Sequence, residues 1–84
     1  MRITSIFEWE GSVWVWFSYR TPCSDHDCSL RITDGTVSEG DESAFGSQWR
    51  YDAETAAREF GEFLPEIMAA VDDWAKGGTA WHTR

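Results

Sequence analysis

Residues 2–20, RITSIFEWEGSVWVWFSYR, decide the fold. Two runs rich in β-branched and aromatic residues, 3–10 and 13–20, flank Gly11-Ser12. Glycine in the first place of a two-residue loop supplies the positive φ of a type II′ turn, so the segment predicts a β-hairpin. With that turn Glu10 pairs with Val13, and the ladder follows. Trp9 faces Trp14, Phe7 faces Trp16 and Ser5 faces Ser18 on one side of the sheet. Glu8 with Val15, Ile6 with Phe17 and Thr4 with Tyr19 take the other. A half-exposed hairpin alternates apolar with polar. Here both sides are partly apolar, and one is an aromatic ladder.

Outward from the hairpin, residues 21–29 read as a polar loop and 30–33 as a third strand. Asp34-Gly35 suits a type I′ turn into a fourth strand at 36–39. Residues 38–47, rich in Gly, Ser and acid, read as a loop, and 48–51 as a short strand or an aromatic lead-in to a helix. Over 53–76 the apolar residues Ala56, Phe60, Phe63, Ile67, Val71 and Trp74 recur at helical spacing on one stripe. Asp52 suits an N-cap and Gly77-Gly78 a stop. Pro65 interrupts, yet the stripe keeps its phase, which predicts one kinked helix of about 24 residues. A break at Leu64, with Pro65 opening a second helix, is the alternative. The tail 79–84 carries Trp81 and His82. The expected fold is α+β: an antiparallel sheet of three to five strands packed against one long C-terminal helix, in a single domain over 1–84.

One helix covers only one face of a sheet. Glu8 and Glu10 lie on the aliphatic side of the hairpin, which points to the tryptophan side as core. Whichever face is core, a second apolar surface is left for long loops, a second copy or a partner to cover. Exposed apolar patches rimmed by charge mark interaction sites, and Trp is a frequent hot spot.

Composition sets the outer limits. Eighty-four residues make one small domain, and 42% hydrophobic with 15% aromatic content is too apolar for disorder. Six tryptophans supply core area at roughly 150–250 Å² each, so folding requires neither disulfide nor metal. The net charge of −8 excludes phosphate-backbone binding by counterion release and adhesion to anionic membranes. No window holds the ~18 apolar residues of a membrane span, and the N-terminus lacks a signal-peptide core. A cytoplasmic protein with no direct nucleic-acid or membrane contact is expected.

Two groups of residues offer chemistry. Cys23 and Cys28, with His26 between them, allow free thiols, a short disulfide or a zinc site. No second Cys or His pair follows at finger-like spacing, and a reducing cytosol opposes a disulfide, so free thiols lead and no metal is assigned. Asp25 and Asp27 raise the thiol pKa, which argues against a nucleophilic cysteine. On helix geometry Glu59, Glu62, Glu66 and Asp73 share a face away from the apolar stripe. That is either a solvated face or an acidic contact surface for a basic partner.

The expected function is a small acidic, non-enzymatic, cofactor-free protein-binding module. By analogy of size and charge it acts as an inhibitor on a basic, nucleic-acid-binding surface of a partner protein, as an anti-CRISPR-like or toxin-immunity protein does. Its contact residues are Glu59, Glu62, Glu66 and Asp73, with Asp41 and Glu42 in a loop and Trp14 and Trp16 from the aromatic ladder. A homodimer burying the aromatic face, a zinc-binding or redox-sensing protein using Cys23 and Cys28, and a small enzyme are the rivals.

Overall fold

The computed structural model describes residues 1–77. The strands are β1 (Arg2–Trp9), β2 (Ser12–Arg20), β3 (Asp25–Thr33), β4 (Thr36–Ala44) and β5 (Ser47–Asp52), followed by helices α1 (Ala53–Glu59) and α2 (Leu64–Ala75). All five strands form one antiparallel sheet in sequence order, and the α+β expectation holds. No helix among the described residues is long and apolar enough to cross a membrane.

Three two-residue turns make this meander. Glu10-Gly11, Asp34-Gly35 and Phe45-Gly46 have φ of 52° and 78°, 53° and 76°, and 55° and 74°. Positive φ at both central positions is the mark of type I′, whose twist matches that of the strands it joins. The first turn therefore lies one residue earlier than the type II′ reading placed it. Phe7 stands opposite Trp14, and Trp9 opposite Ser12. Moving the turn by one residue moves every partner by two, so each side chain keeps its face. A bulge between Ile3 and Ser5 then brings Ile3 opposite Phe17 and into the core.

Two segments read as loops are strands. β3 begins at Asp25, leaving only a tight bend at 21–24, where Thr21 and Ser24 exchange backbone hydrogen bonds. β4 runs on to Ala44 despite its Ser, Gly and acid, because β3 and β5 pair with it on both sides. Its polar composition says little when both ladders hold it; neighbours override intrinsic strand preference. Asp41 and Glu42 are thus strand residues, not loop residues.

The single long helix is also corrected. α1 ends at Glu59, and the chain passes through a tight turn in which Phe63 N–H donates to Phe60 C=O at 2.9 Å and Leu64 N–H to Gly61 C=O at 3.3 Å. α2 follows, 12 residues long, with Pro65 in its first turn, where a missing N–H costs nothing. In a continuous helix Pro65 would have crowded the Gly61 carbonyl. The break has a use: α1 packs on β4 and β5, while α2 reaches back over β1 and β2. Asp52 caps α1 by accepting from Thr55 N–H at 2.8 Å, as expected, and Gly77 leaves α2 at φ 78°. Gly78 and the tail, with Trp81 and His82, lie outside the described residues.

The helices cover the aliphatic face, not the tryptophan face. The core gathers Ile3, Ile6, Val15, Phe17, Leu30 and Ile32 from the sheet with Ala56, Phe60, Ile67 and Ala70 from the helices. Phe60 and Phe63 meet Phe17 edge-on at 5.2 and 6.2 Å. Glu8 and Glu10 misled because they sit at the rim, beside and within the first turn, where either face is wet. The surplus apolar face is present, and it carries the tryptophans.

Gly40 lets α1 approach. A Cβ there would stand 3.1 Å from Ala56 Cβ and 3.2 Å from both Leu30 Cδ2 and Phe60 Cε2. Gly40→Ala is expected to cost about 1–3 kcal/mol, and Gly40→Val more, as overpacking pushes the helix off the sheet. Urea unfolding of the two variants checks this; a Gly40→Ala midpoint equal to that of the parent would show that the approach is not tight.

Candidate functional site

Strand register writes the uncovered face as rows. Phe7, Trp14, Arg31 and Glu39 lie side by side across β1 to β4. The neighbouring row is Ser5, Trp16, Ser29, Asp41 and Arg50. The row beyond holds Ser18, Asp27, Ser43 and Gln48. Aromatics therefore fill the β1–β2 half of this face, and charge fills the β3–β5 half. Trp9 is 57% exposed, Trp16 48% and Phe7 38%, so the ladder is an open surface.

Its charges are unevenly matched. Arg31 stacks over Trp14, its guanidinium carbon 5.6 Å from the ring centroid. It also donates to Ser12 Oγ at 2.9 Å and Glu39 Oε1 at 3.1 Å. Arg20 meets Asp25 at 2.6 Å. Arg50 Nε stands 3.6 Å from Asp41 Oδ1, too far for a hydrogen bond, and that buried oxygen has no hydrogen-bond partner among the described residues. Trp14 Nε1 is likewise buried without an acceptor. Trp14, Trp16, Asp27, Ser29, Asp41 and Gln48 line a shallow groove of about 170 Å³ on this face.

The residues expected to share one contact surface divide between two. Trp14, Trp16 and Asp41 belong to the uncovered sheet face. Glu59, Glu62, Glu66 and Asp73 are exposed on the helical layer across the molecule, distributed over α1, the turn and α2 instead of one helix face. Glu42 belongs to neither: at 6% exposure it points into the core.

There Glu42 organises a polar cluster. Its Oε2 accepts from the Tyr19 hydroxyl and from His26 Nδ1 (2.5 Å), and its Oε1 from the Tyr51 hydroxyl at 2.7 Å. Tyr19 stacks on His26 at 4.6 Å, and Phe45 meets the imidazole edge-on at 5.5 Å. Burial pushes the Glu42 carboxyl up, but the hydrogen bonds from Tyr19, Tyr51 and His26 outweigh it and hold the acid below its ordinary value. Both tyrosines are pushed up, first by burial and then by the carboxylate they donate to. The Glu42 carboxylate is thus enclosed, with both oxygens engaged. Its role is to satisfy buried polar groups.

The structure divides the Cys23–Cys28 segment between a bend and a strand. Cys28 and His26 are core-facing residues of β3, whereas Cys23 is exposed in the bend before it. Among the described residues no three His, Cys, Asp or Glu side chains gather as metal ligands. Burial pushes the Cys28 thiol up to about 12, helped by the Glu42 and Asp27 charges. Asp27 acts as the sequence suggested, but burial is the larger cause. The missed residues are Tyr19, Tyr51 and Ser29. Alternation along β3, with His26, Cys28, Leu30 and Ile32 against Asp25, Asp27, Ser29 and Arg31, was the signal that places Ser29, whereas Tyr19 and Tyr51 come from β2 and β5 and reach Glu42 only through the strand register.

Two predictions follow from this geometry. Glu42→Gln is expected to lose about 1–3 kcal/mol at neutral pH. Because the native carboxyl lies below its ordinary 4.5, its contribution is complete above that value and fades as pH falls through the native one. Parent and variant stabilities should therefore converge as pH falls below 4.5 and through the lowered native value, as read by denaturant unfolding across pH. A gap that stays constant down to acid would detach the charge from stability. A thiol-reactive chromophore at neutral pH should titrate Cys23 alone in the native protein and both cysteines after unfolding. Two fast thiols would place Cys28 in solvent.

No family model matches the chain, and no curated protein or solved structure matches it either.

Proposed function

We propose that this chain is a non-enzymatic protein-binding module that docks its uncovered sheet face on a basic surface of a partner protein. The observation that carries the reading is the aromatic ladder Phe7, Trp9, Trp14 and Trp16, with Phe7, Trp9 and Trp16 exposed and Trp14 half-buried, beside the carboxylates of Asp27 and Asp41. Buried aromatic area supplies affinity at interfaces, and flanking charge supplies partner choice and association rate. The helical carboxylates Glu59, Glu62 and Glu66 add to the net charge of −8 and steer a cationic partner from a distance. An inhibitor that masks a nucleic-acid-binding surface, in the manner of an anti-CRISPR-like or toxin-immunity protein acting in the cytoplasm, is the concrete form of this reading.

A second copy of the chain could cover the same ladder, but two molecules of net charge −8 repel. Affinity capture from the native host with the parent, Trp16→Ser and the pair Glu62→Lys with Glu66→Lys tests the proposal. Retention should fall sharply with Trp16→Ser, and fall less with the helical pair. It should weaken from about 50 mM to about 500 mM salt. Retention indifferent to Trp16→Ser would overturn the docking face. Light scattering that shows a dimer, dissociated by Trp16→Ser, would replace the foreign partner with a second copy.

A further inference from the structure

Two neighbouring rows of the uncovered face repeat one pattern with one element missing. In the first, β2 offers Trp14, β4 offers Glu39, and β3 places Arg31 between them. The guanidinium stacks on the indole and donates to the carboxylate, with Ser12 Oγ taking a further N–H. In the second, β2 offers Trp16 and β4 offers Asp41, but the β3 residue between them is Ser29. Ser29 is small and buried, so the space that Arg31 fills in one row is a groove in the next. Asp27, two residues along β3 on the same face, adds a second carboxylate to its wall.

From this repetition we infer that the groove between Trp16 and Asp41 is a socket for one arginine side chain of the partner. The inference rests on the docking reading above and names the group that face receives. Three features select the guanidinium. Trp16 lines the groove and is half exposed, which brings an indole within reach of a planar cation. Asp41 stands on the groove wall, its Oδ1 accepting no hydrogen bond and its ion pair with Arg50 stretched to 3.6 Å, so an incoming guanidinium competes with a long contact. Asp27 supplies a further acceptor, and a forked, five-donor group spans separate carboxylates where a lysine ammonium acts as a point charge. The chain's own Arg31 demonstrates the chemistry one row away.

The probe is N-acetyl-arginine methylamide, titrated into the full 84-residue protein while the indole N–H signals are followed by NMR. N-acetyl-citrulline methylamide, its uncharged counterpart, is the control. The arginine probe should move the Trp16 indole saturably with roughly millimolar affinity, and citrulline should bind at least about tenfold more weakly. Asp41→Asn should weaken the arginine probe about fivefold or more. Ser29→Arg, which would fill the socket from within, should abolish the Trp16 response. Should Ser29→Arg disturb folding, Asp27→Asn, at an exposed site, gives a second loss of affinity to measure. Equal binding of citrulline, a Trp16 signal that never saturates, or undiminished binding to both Asp variants would each overturn the socket. Capture that depends on Trp16 with no arginine response sinks the socket and leaves the docking face standing. An arginine response with capture blind to Trp16 does the reverse.

Discussion

The sheet has two faces, and the chain after β5 supplies helix for only one of them. α1 and α2 lie on the aliphatic side because Gly40 lets Ala56 and Phe60 sit close on the sheet centre, where Leu30, Val15 and Phe17 already form an apolar floor. The docking proposed for this molecule follows from that allocation. The aromatic ladder is not spare core. It is the half of the hairpin that the fold leaves in water.

The covered face has its own constraint. A buried carboxylate is costly unless its oxygens are occupied. Glu42 is accommodated because the register brings Tyr19 and His26 from β2 and β3 and Tyr51 from β5 around it. The same pairing places Phe45, a bulky residue at φ 55° in the last turn, edge-on to His26. Left-handed backbone costs a non-glycine residue on the order of 1–2 kcal/mol. The ring's cover of the imidazole is a return on that strain. Polar cluster and aliphatic core thus share one face, and the acids free to meet a partner lie elsewhere.

Charge distribution separates long-range from short-range recognition. Glu59, Glu62 and Glu66 lie on the helical layer away from the aromatic face, so in the proposed docking they would act through the overall field. Asp27 and Asp41 share a groove with Trp16 and in that docking would act at contact distance. Treating all the acids as one surface conflates the two roles. It arose from taking 53–76 as one kinked helix of unbroken phase, on which four carboxylates align. The break before Pro65 spreads them.

Much of the architecture is legible in local chemistry. The β-branched and aromatic runs, the Gly-containing turns, the Asp52 cap and the helical stripe each declare their element within a few residues, because turn, cap and periodicity are short-range physics. The existence of a surplus apolar face is equally local, since both sides of 2–20 are apolar. What stayed hidden depended on neighbours distant in sequence. β4 is a strand because two partners hydrogen-bond it, and its own residues argue for a loop. Glu42 looked like a solvated acid until three donors from other strands converged on it. Sequence alone determined that this chain would leave a second apolar surface outside its core. Only tertiary structure decided which face that was, because the choice turns on how closely a helix can approach, and one glycine in a strand that looked like a loop sets that distance.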